Sequence, residues 1–163
     1  MTEGTILYRR ENDACLIKLV GCIRFTIGTR FEAFIRQLFV ENPPVHLTID
    51  LTEADHIDST NLGLLARLSR YMSAHGAELP VINTDREDII LLLETMGFDE
   101  VFSMQSNPSV SSDQLSEIPS GEDVSSTDSR TILDAHQMLM NMNEGNKERF
   151  RDAVEFMKKE IEP

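Results

Sequence analysis

The sequence changes from an extended to a helical pattern across residues 57–63, Ile-Asp-Ser-Thr-Asn-Leu-Gly. Apolar residues alternate over residues 45–51, which predicts a β-strand, and an amphipathic helical pattern runs from Ser59 to about His75. Ser59 is therefore expected at the N-terminus of a helix, where the first backbone N–H groups lack helical partners and the macrodipole is positive. Asp58 or Ser59 can cap such a helix, and a phosphate is also tolerated there.

The patterns before and after this stretch predict an α/β fold. Residues 4–10 and 14–20 form a predicted hairpin, and residues 79–83 and 101–104 are further strand candidates. Capping boxes at Thr29/Glu32 and Thr84/Glu87 precede apolar stripes with helical spacing. The resulting order is ββαβαβαβ, which indicates a mixed β-sheet with three amphipathic helices that cover one face.

The composition changes sharply after residue 105. Residues 106–129 contain nine serines, five acidic residues and no basic residue, so they bury too little apolar area to offset the entropy of ordering. Residues 130–163 regain helical periodicity, with a break at residues 143–146 that predicts a helical hairpin. We therefore predict a domain over 1–105, a flexible linker over 106–129 and a hairpin extension over 130–163. Two helices need another surface to pack on, which the domain, a second copy or a partner would supply.

The net charge of −13 and pI near 4.6 argue against nucleic acid and anionic membranes as partners. The sequence has no apolar run long enough for a membrane span and no signal-peptide pattern, so we expect a cytoplasmic protein. Cys15 and Cys22 have neither disulfide-scaffold, CxxC nor zinc-site spacing.

Catalytic motifs are missing from the sequence, which predicts a protein that is not an enzyme and needs no cofactor. The four histidines are scattered, and HExxH, GxSxG, Walker A and GxGxxG patterns are absent. Glu53, Asp55 and Asp58 form an acidic group, which we interpret as a solvated loop and not as a metal site. A receiver domain with Asp50 as phosphoacceptor would need an acidic pair after the first strand and a lysine near the last, and both are missing.

The stretch Asp58-Ser59-Thr60-Asn61-Leu62-Gly63, behind a strand that ends in Ile-Asp-Leu, resembles the Asp-Ser-Ser/Thr-Gly-Leu-Gly signature of STAS-domain anti-sigma factor antagonists. The resemblance extends over about residues 3–104 and implies the STAS fold. It also implies that Ser59 is the phosphorylated serine, with Thr60 as the alternative acceptor. Asn61 departs from the family, because it occupies the position of a glycine.

The resemblance implies a protein-binding switch. In the family, the unphosphorylated antagonist binds an anti-sigma factor and frees a sigma factor; the anti-sigma partner is a serine kinase that switches the antagonist off, and a PP2C-type phosphatase reverses this. The C-terminal hairpin resembles longer bacterial antagonists that act with a response-regulator phosphatase, for example in stress responses. The predicted partner-binding residues are Asp55, Asp58, Ser59, Thr60, Asn61, Leu62 and Gly63.

Two alternatives remain open. The chain could be a STAS assembly scaffold in which Ser59 is only a helix cap and is never phosphorylated. Small-molecule or nucleotide binding ranks behind this, because no phosphate-cradling loop is present. The sequence also leaves open whether the protein forms a homodimer.

Overall fold

The computed structural model describes residues 4–119 and 127–162. The strands within these ranges are β1 (Thr5–Glu11), β2 (Ala14–Ile23), β3 (His46–Asp50), β4 (Ala54–Ile57), β5 (Val81–Asn83), β6 (Ser103–Gln105) and β7 (Ser116–Glu117). The α-helices are α1 (Gly28–Glu41), α2 (Ser59–Ala74), α3 (Glu87–Thr95), α4 (Ser129–Met140) and α5 (Glu144–Ile161). The predicted α/β class, with a mixed sheet and a C-terminal helical hairpin, is confirmed.

The sheet has the order β6-β5-β3-β2-β1-β7, and β4 also pairs with β2. β1 is antiparallel to β2 and to β7, whereas the pairs β2–β3, β3–β5 and β5–β6 are parallel. The long strand β2 pairs with β3 through residues 14–18 and with β4 through residues 21–23. The N-terminal half of β2 therefore holds the sheet together, and its C-terminal end positions the segment before α2.

The acidic segment before Ser59, interpreted as a loop, contains β4, so this prediction was wrong. Buried and exposed residues do not alternate along β4, because Ala54 and Ile57 at its two ends are buried and the two residues between them are exposed. A four-residue strand with two polar residues at its centre therefore gives little periodic signal in the sequence. The pairing arises because β2 continues past the end of β3 and offers free edge groups to the returning chain.

Both predicted capping boxes are also wrong. α1 begins at Gly28 without a side-chain cap, and the Thr29 hydroxyl accepts a hydrogen bond from the Asp128 backbone N–H instead. α3 begins at Glu87 with Arg86 as its N-cap, and the Thr84 hydroxyl accepts from the Arg86 N–H. In each case the threonine hydroxyl accepts from a backbone N–H outside the helix and therefore does not cap the helix.

Helices α1 to α4 contribute to one hydrophobic core. Phe31, Ile35 and Phe39 of α1 and Ile89 and Leu93 of α3 supply buried side chains, as expected from their stripes, and α2 adds a broader set. The α4 residues Ala135 and Leu139 belong to the same cluster. The hairpin therefore packs on the domain, which was one of the three surfaces considered for it.

The boundaries predicted for the domain and the linker stay a prediction, and part of the linker lies outside the described residues, at 120–126. Residues 106–119 lie against the sheet: β7 pairs with β1, and Ile118 is buried in the core. The Lys18 ammonium donates to the Val110 carbonyl oxygen over 2.6 Å, and the Val110 N–H donates to the Asp50 carboxylate. The composition of the segment did not predict these contacts, because each is made by a single residue, such as Val110 or Ile118, in a segment that is otherwise polar.

Candidate functional site

The chain places Ser59 at the point where β4 ends and α2 begins. The Asp58 N–H donates to the Ile23 carbonyl oxygen over 3.1 Å, which fixes the turn to the end of β2. The Asp58 carboxylate accepts from the Asn61 backbone N–H over 3.0 Å, so Asp58 is the N-cap. Ser59 is the first residue of the helix, where the macrodipole favours negative charge.

Asn61 does not present its side chain to the surface. The side-chain amide donates to the Asp58 carboxylate over 2.9 Å, and the residue is completely buried. Its side-chain oxygen is buried without a hydrogen-bond partner. The residue that departs from the family signature is therefore folded under the helix and reinforces the cap from within.

The remaining predicted site residues differ widely in exposure. Thr60, Leu62 and Gly63 are buried, and Asp55 is exposed. Asp55 forms a 2.7 Å ion pair with Arg86 at the start of α3, and this hydrogen bond raises the pKa of the Arg86 guanidinium. Of the seven predicted residues, Asp58 and Ser59 thus lie together at the half-buried helix end, with Asp55 on the strand before them.

His136 of α4 contacts the predicted phosphorylation site. Its Nε2 lies 2.8 Å from the Ser59 hydroxyl oxygen, and its Nδ1 lies 2.7 Å from the Ile132 carbonyl oxygen. Because a carbonyl only accepts, Nδ1 carries the proton, and in the neutral ring Nε2 accepts from the Ser59 hydroxyl. His136 itself is almost completely buried and meets the Phe150 ring edge-on.

Helix α4 lies directly over the first turns of α2. A Cβ atom at Gly63 would overlap the carbonyl oxygen of Ala135, so the two helix backbones approach closely at this glycine. Sequence reasoning did not anticipate that the hairpin would cover residues 59–63. The available signal was the stripe that contains Ala135 and Leu139 beside His136, but periodicity identifies a buried face and not what buries it.

The acidic residues near Ser59 point in different directions. Glu53 pairs with the buried Lys18, Asp55 pairs with Arg86 and Asp58 caps α2. Within residues 4–119 and 127–162, no group of three or more His, Cys, Asp or Glu side chains could hold a metal ion. Across the same ranges, no helix is long and apolar enough to cross a membrane.

The fold and the Asp-Ser helix end define the class of this protein. The STAS domain family matches residues 5–111, which is more than half of the sequence. The chain therefore belongs to the STAS-domain family. No curated protein matches the sequence at a significant level.

Solved structures share the fold at low sequence identity. An anti-sigma factor antagonist from Mycobacterium paratuberculosis is 17% identical with a TM-score of 0.56, and the alignment covers 64% of this chain and 87% of that chain. The anti-sigma factor antagonist SpoIIAA in its unphosphorylated form is 13% identical with a TM-score of 0.54 over 60% and 84% of the two chains. SpoIIAA from Bacillus in its phosphorylated form is 13% identical with a TM-score of 0.51, and the alignment covers 60% of this chain and 87% of that chain.

Proposed function

We propose that this protein is an anti-sigma factor antagonist whose partner binding is switched off by phosphorylation of Ser59. The single observation that carries the proposal is the half-buried Ser59 hydroxyl on the first residue of α2, directly after the Asp58 cap, in a STAS domain. The similar fold of SpoIIAA, solved in both unphosphorylated and phosphorylated forms, supports it. The protein is then the substrate of a kinase and not itself a catalyst.

The partners follow from this role. An anti-sigma factor with serine kinase activity binds the unphosphorylated protein and releases its sigma factor. A PP2C-type phosphatase, in this longer variant joined to a response regulator, removes the phosphate. The protein acts in the bacterial cytoplasm, as part of a stress response, and does not contact nucleic acid itself.

The physical basis of the switch is local charge. A phosphate adds about −1.5 to −2 charges and three strong acceptor oxygens at one point. The positive end of α2 tolerates this charge within the protein. The Asp58 carboxylate caps the same helix end, so phosphorylation of Ser59 concentrates negative charge there and repels an acidic partner surface. The added bulk also separates surfaces that pack closely when Ser59 is unmodified.

Burial favours Ser59 over Thr60 as the acceptor. Thr60 is 3% exposed, and its methyl group faces Gly28 at the start of α1. A kinase would have to open the core of the domain to reach it. Ser59 is half-buried, and its hydroxyl contacts His136 of α4.

Co-purification from native lysate tests the proposal, with the wild type, Ser59→Ala and Ser59→Asp as baits and mass spectrometry to identify the partners. We expect Ser59→Ala to retain an ATPase-fold kinase and Ser59→Asp to lose it. Equal recovery of the same partners by all three baits would instead support the scaffold alternative, in which Ser59 only occupies a helix end. Phosphate on Ser59 in cells separates the two functions independently.

A further inference from the structure

The C-terminal hairpin is attached to the domain at both of its ends. At the start of α4, the Thr127 hydroxyl donates to the Phe25 carbonyl oxygen, and the Asp128 N–H donates to the Thr29 hydroxyl. At the turn between α4 and α5, the Asn146 side-chain amide donates to the Met96 carbonyl oxygen over 2.9 Å, and Asn143 donates to the same oxygen. These two attachments hold α4 across α2.

Between these attachments, α4 occupies the candidate site. His136 accepts the hydrogen bond of the Ser59 hydroxyl, and the Ala135 backbone lies against Gly63. Ala135 and Leu139 are fully buried. A partner that contacts Gly63 and the Ser59 hydroxyl must therefore displace α4, because two backbones cannot approach the same glycine from the same side.

We propose that the hairpin is an internal competitor: α4 covers the partner-binding surface of α2, and the anti-sigma kinase binds only when the hairpin detaches. This inference rests on the proposed function and adds its regulation. The surface that α4 vacates includes Gly63, which lacks a Cβ and lies against the Ala135 backbone. It therefore fits a partner segment that presents an apolar helical face with a close backbone approach, as α4 does.

The hairpin detaches from the domain only when two kinds of contact break. Polar contacts at Thr127, Asp128, Asn143 and Asn146 lie at the start of α4 and at the turn between α4 and α5, and Ala135 and Leu139 pack in the core of the domain. The opposite face of α5 is solvated, with Phe156 exposed. Local opening of such a unit costs less free energy than global unfolding, because the strands of the core keep their pairing.

Thiol labelling measures the detachment without any partner. Ala135→Cys places a thiol on the face of α4 that contacts α2. The buried Cys15 reports global unfolding in the same sample, because burial raises the pKa of its thiol to about 11 and keeps it unreactive. We expect residue 135 to label faster than Cys15. We also expect Asn146→Ala, which removes one of the two hydrogen bonds to the Met96 carbonyl oxygen, to speed labelling at residue 135 by about tenfold.

Partner affinity then tests the competition. The probe is the purified ATPase-fold kinase that the Ser59→Ala bait recovers. Asn146→Ala, introduced without Ala135→Cys, changes no residue of the candidate site, and we expect it to bind this kinase about tenfold more tightly than the wild type. Leu139→Ala is a second opening variant for the same comparison. The matched control is Phe156→Ala, a truncation on the exposed face of α5, which should leave both labelling and affinity unchanged.

A reversible lock gives the opposite test. A Cβ at Gly28 would lie 3.1 Å from the Thr127 methyl group, close enough for a disulfide in Gly28→Cys/Thr127→Cys. We expect the oxidised form to lose at least about tenfold in affinity for the kinase and to regain it on reduction.

The two proposals fail in different ways. If no bait recovers a kinase, the proposed function is wrong and the competition falls with it. If the kinase binds the wild type, Asn146→Ala and the oxidised lock equally, the proposed function stands and the hairpin is not a competitor. Labelling of residue 135 no faster than Cys15 in every variant also overturns the proposal, because the hairpin would then open only with the whole domain.

Discussion

At the residue scale, three polar residues of the signature have different roles. Asp58 follows β4 and caps α2, Ser59 holds its hydroxyl towards His136, and Asn61 lies buried under the cap. The sequence predicted the helix end and its capping by Asp58 or Ser59. It did not indicate that an asparagine in place of glycine would be fully buried, because this depends on the space beneath the first turn.

The contribution of the Asp58 cap can be tested by measuring the stability of the protein. Asp58→Ala removes the acceptor of both the Asn61 backbone and side-chain N–H groups, and we expect the free energy of unfolding to fall by ~1–2 kcal/mol. Chemical denaturation measures this. Asp58→Asn is the matched control, because asparagine is an equally good N-cap and should retain most of the stability. An equal loss in both variants would mean that the charge, and not the cap, stabilises this helix end.

The choice of acceptor can be tested by mapping the phosphate after incubation with the recovered kinase. We expect Ser59→Ala to abolish phosphorylation, whereas Thr60→Val, which preserves the shape of a buried side chain, should retain it. Tandem mass spectrometry of the peptide that contains both residues locates the phosphate. Phosphate on Thr60 in the wild type would contradict the argument from burial.

At the scale of the elements, the contact between α2 and α4 dominates the candidate site. The patterns predicted both helices, but they gave no reason for the glycine at residue 63 beyond the family signature. The structure supplies one, because Ala135 passes so close that only a residue without Cβ fits. Two helices that cross at a glycine approach more closely than side chains otherwise permit.

This contact predicts an unusual response to Gly63→Ala. Alanine favours the helix by ~1 kcal/mol, yet its Cβ would overlap the Ala135 carbonyl, and overpacking of this kind costs ~1–3 kcal/mol. We expect a net loss of stability, with faster hydrogen exchange in α4 than in the strands. The control is Gly145→Ala in the first turn of α5, where the nearest atom to the new Cβ is 3.4 Å away, and which should be neutral or stabilising by ~0.5 kcal/mol. Slower exchange in α4 of Gly63→Ala would disprove the close approach.

At the scale of the whole molecule, the polar segment after residue 105 connects the domain and the hairpin. Its described part carries β7 and the buried Ile118, and the Arg30 guanidinium donates to the Ile118 carbonyl oxygen over 3.0 Å. Residues 116–118 thus lie at the outer edge of the sheet, beside β1.

Truncation of Ile118 distinguishes an ordered segment from a flexible linker. Ile118 is 2% exposed, so we expect Ile118→Ala to lower the free energy of unfolding by ~2–4 kcal/mol. Val40→Ala, a truncation of an apolar side chain that is 77% exposed, is the control and should change stability by less than ~0.5 kcal/mol. Equal, small effects in denaturation experiments would support a flexible linker throughout.

The sequence by itself determined the α/β class, most strands and helices, and the polar residues at the start of α2. These features depend on neighbours along the chain: alternation, helical spacing and the Asp-Ser pair. Only the tertiary structure decided that β4 extends along β2, that residues 106–119 lie on the sheet and that His136 reaches Ser59. Each of these joins residues far apart in sequence, and local patterns show that a face is buried but not which distant surface buries it.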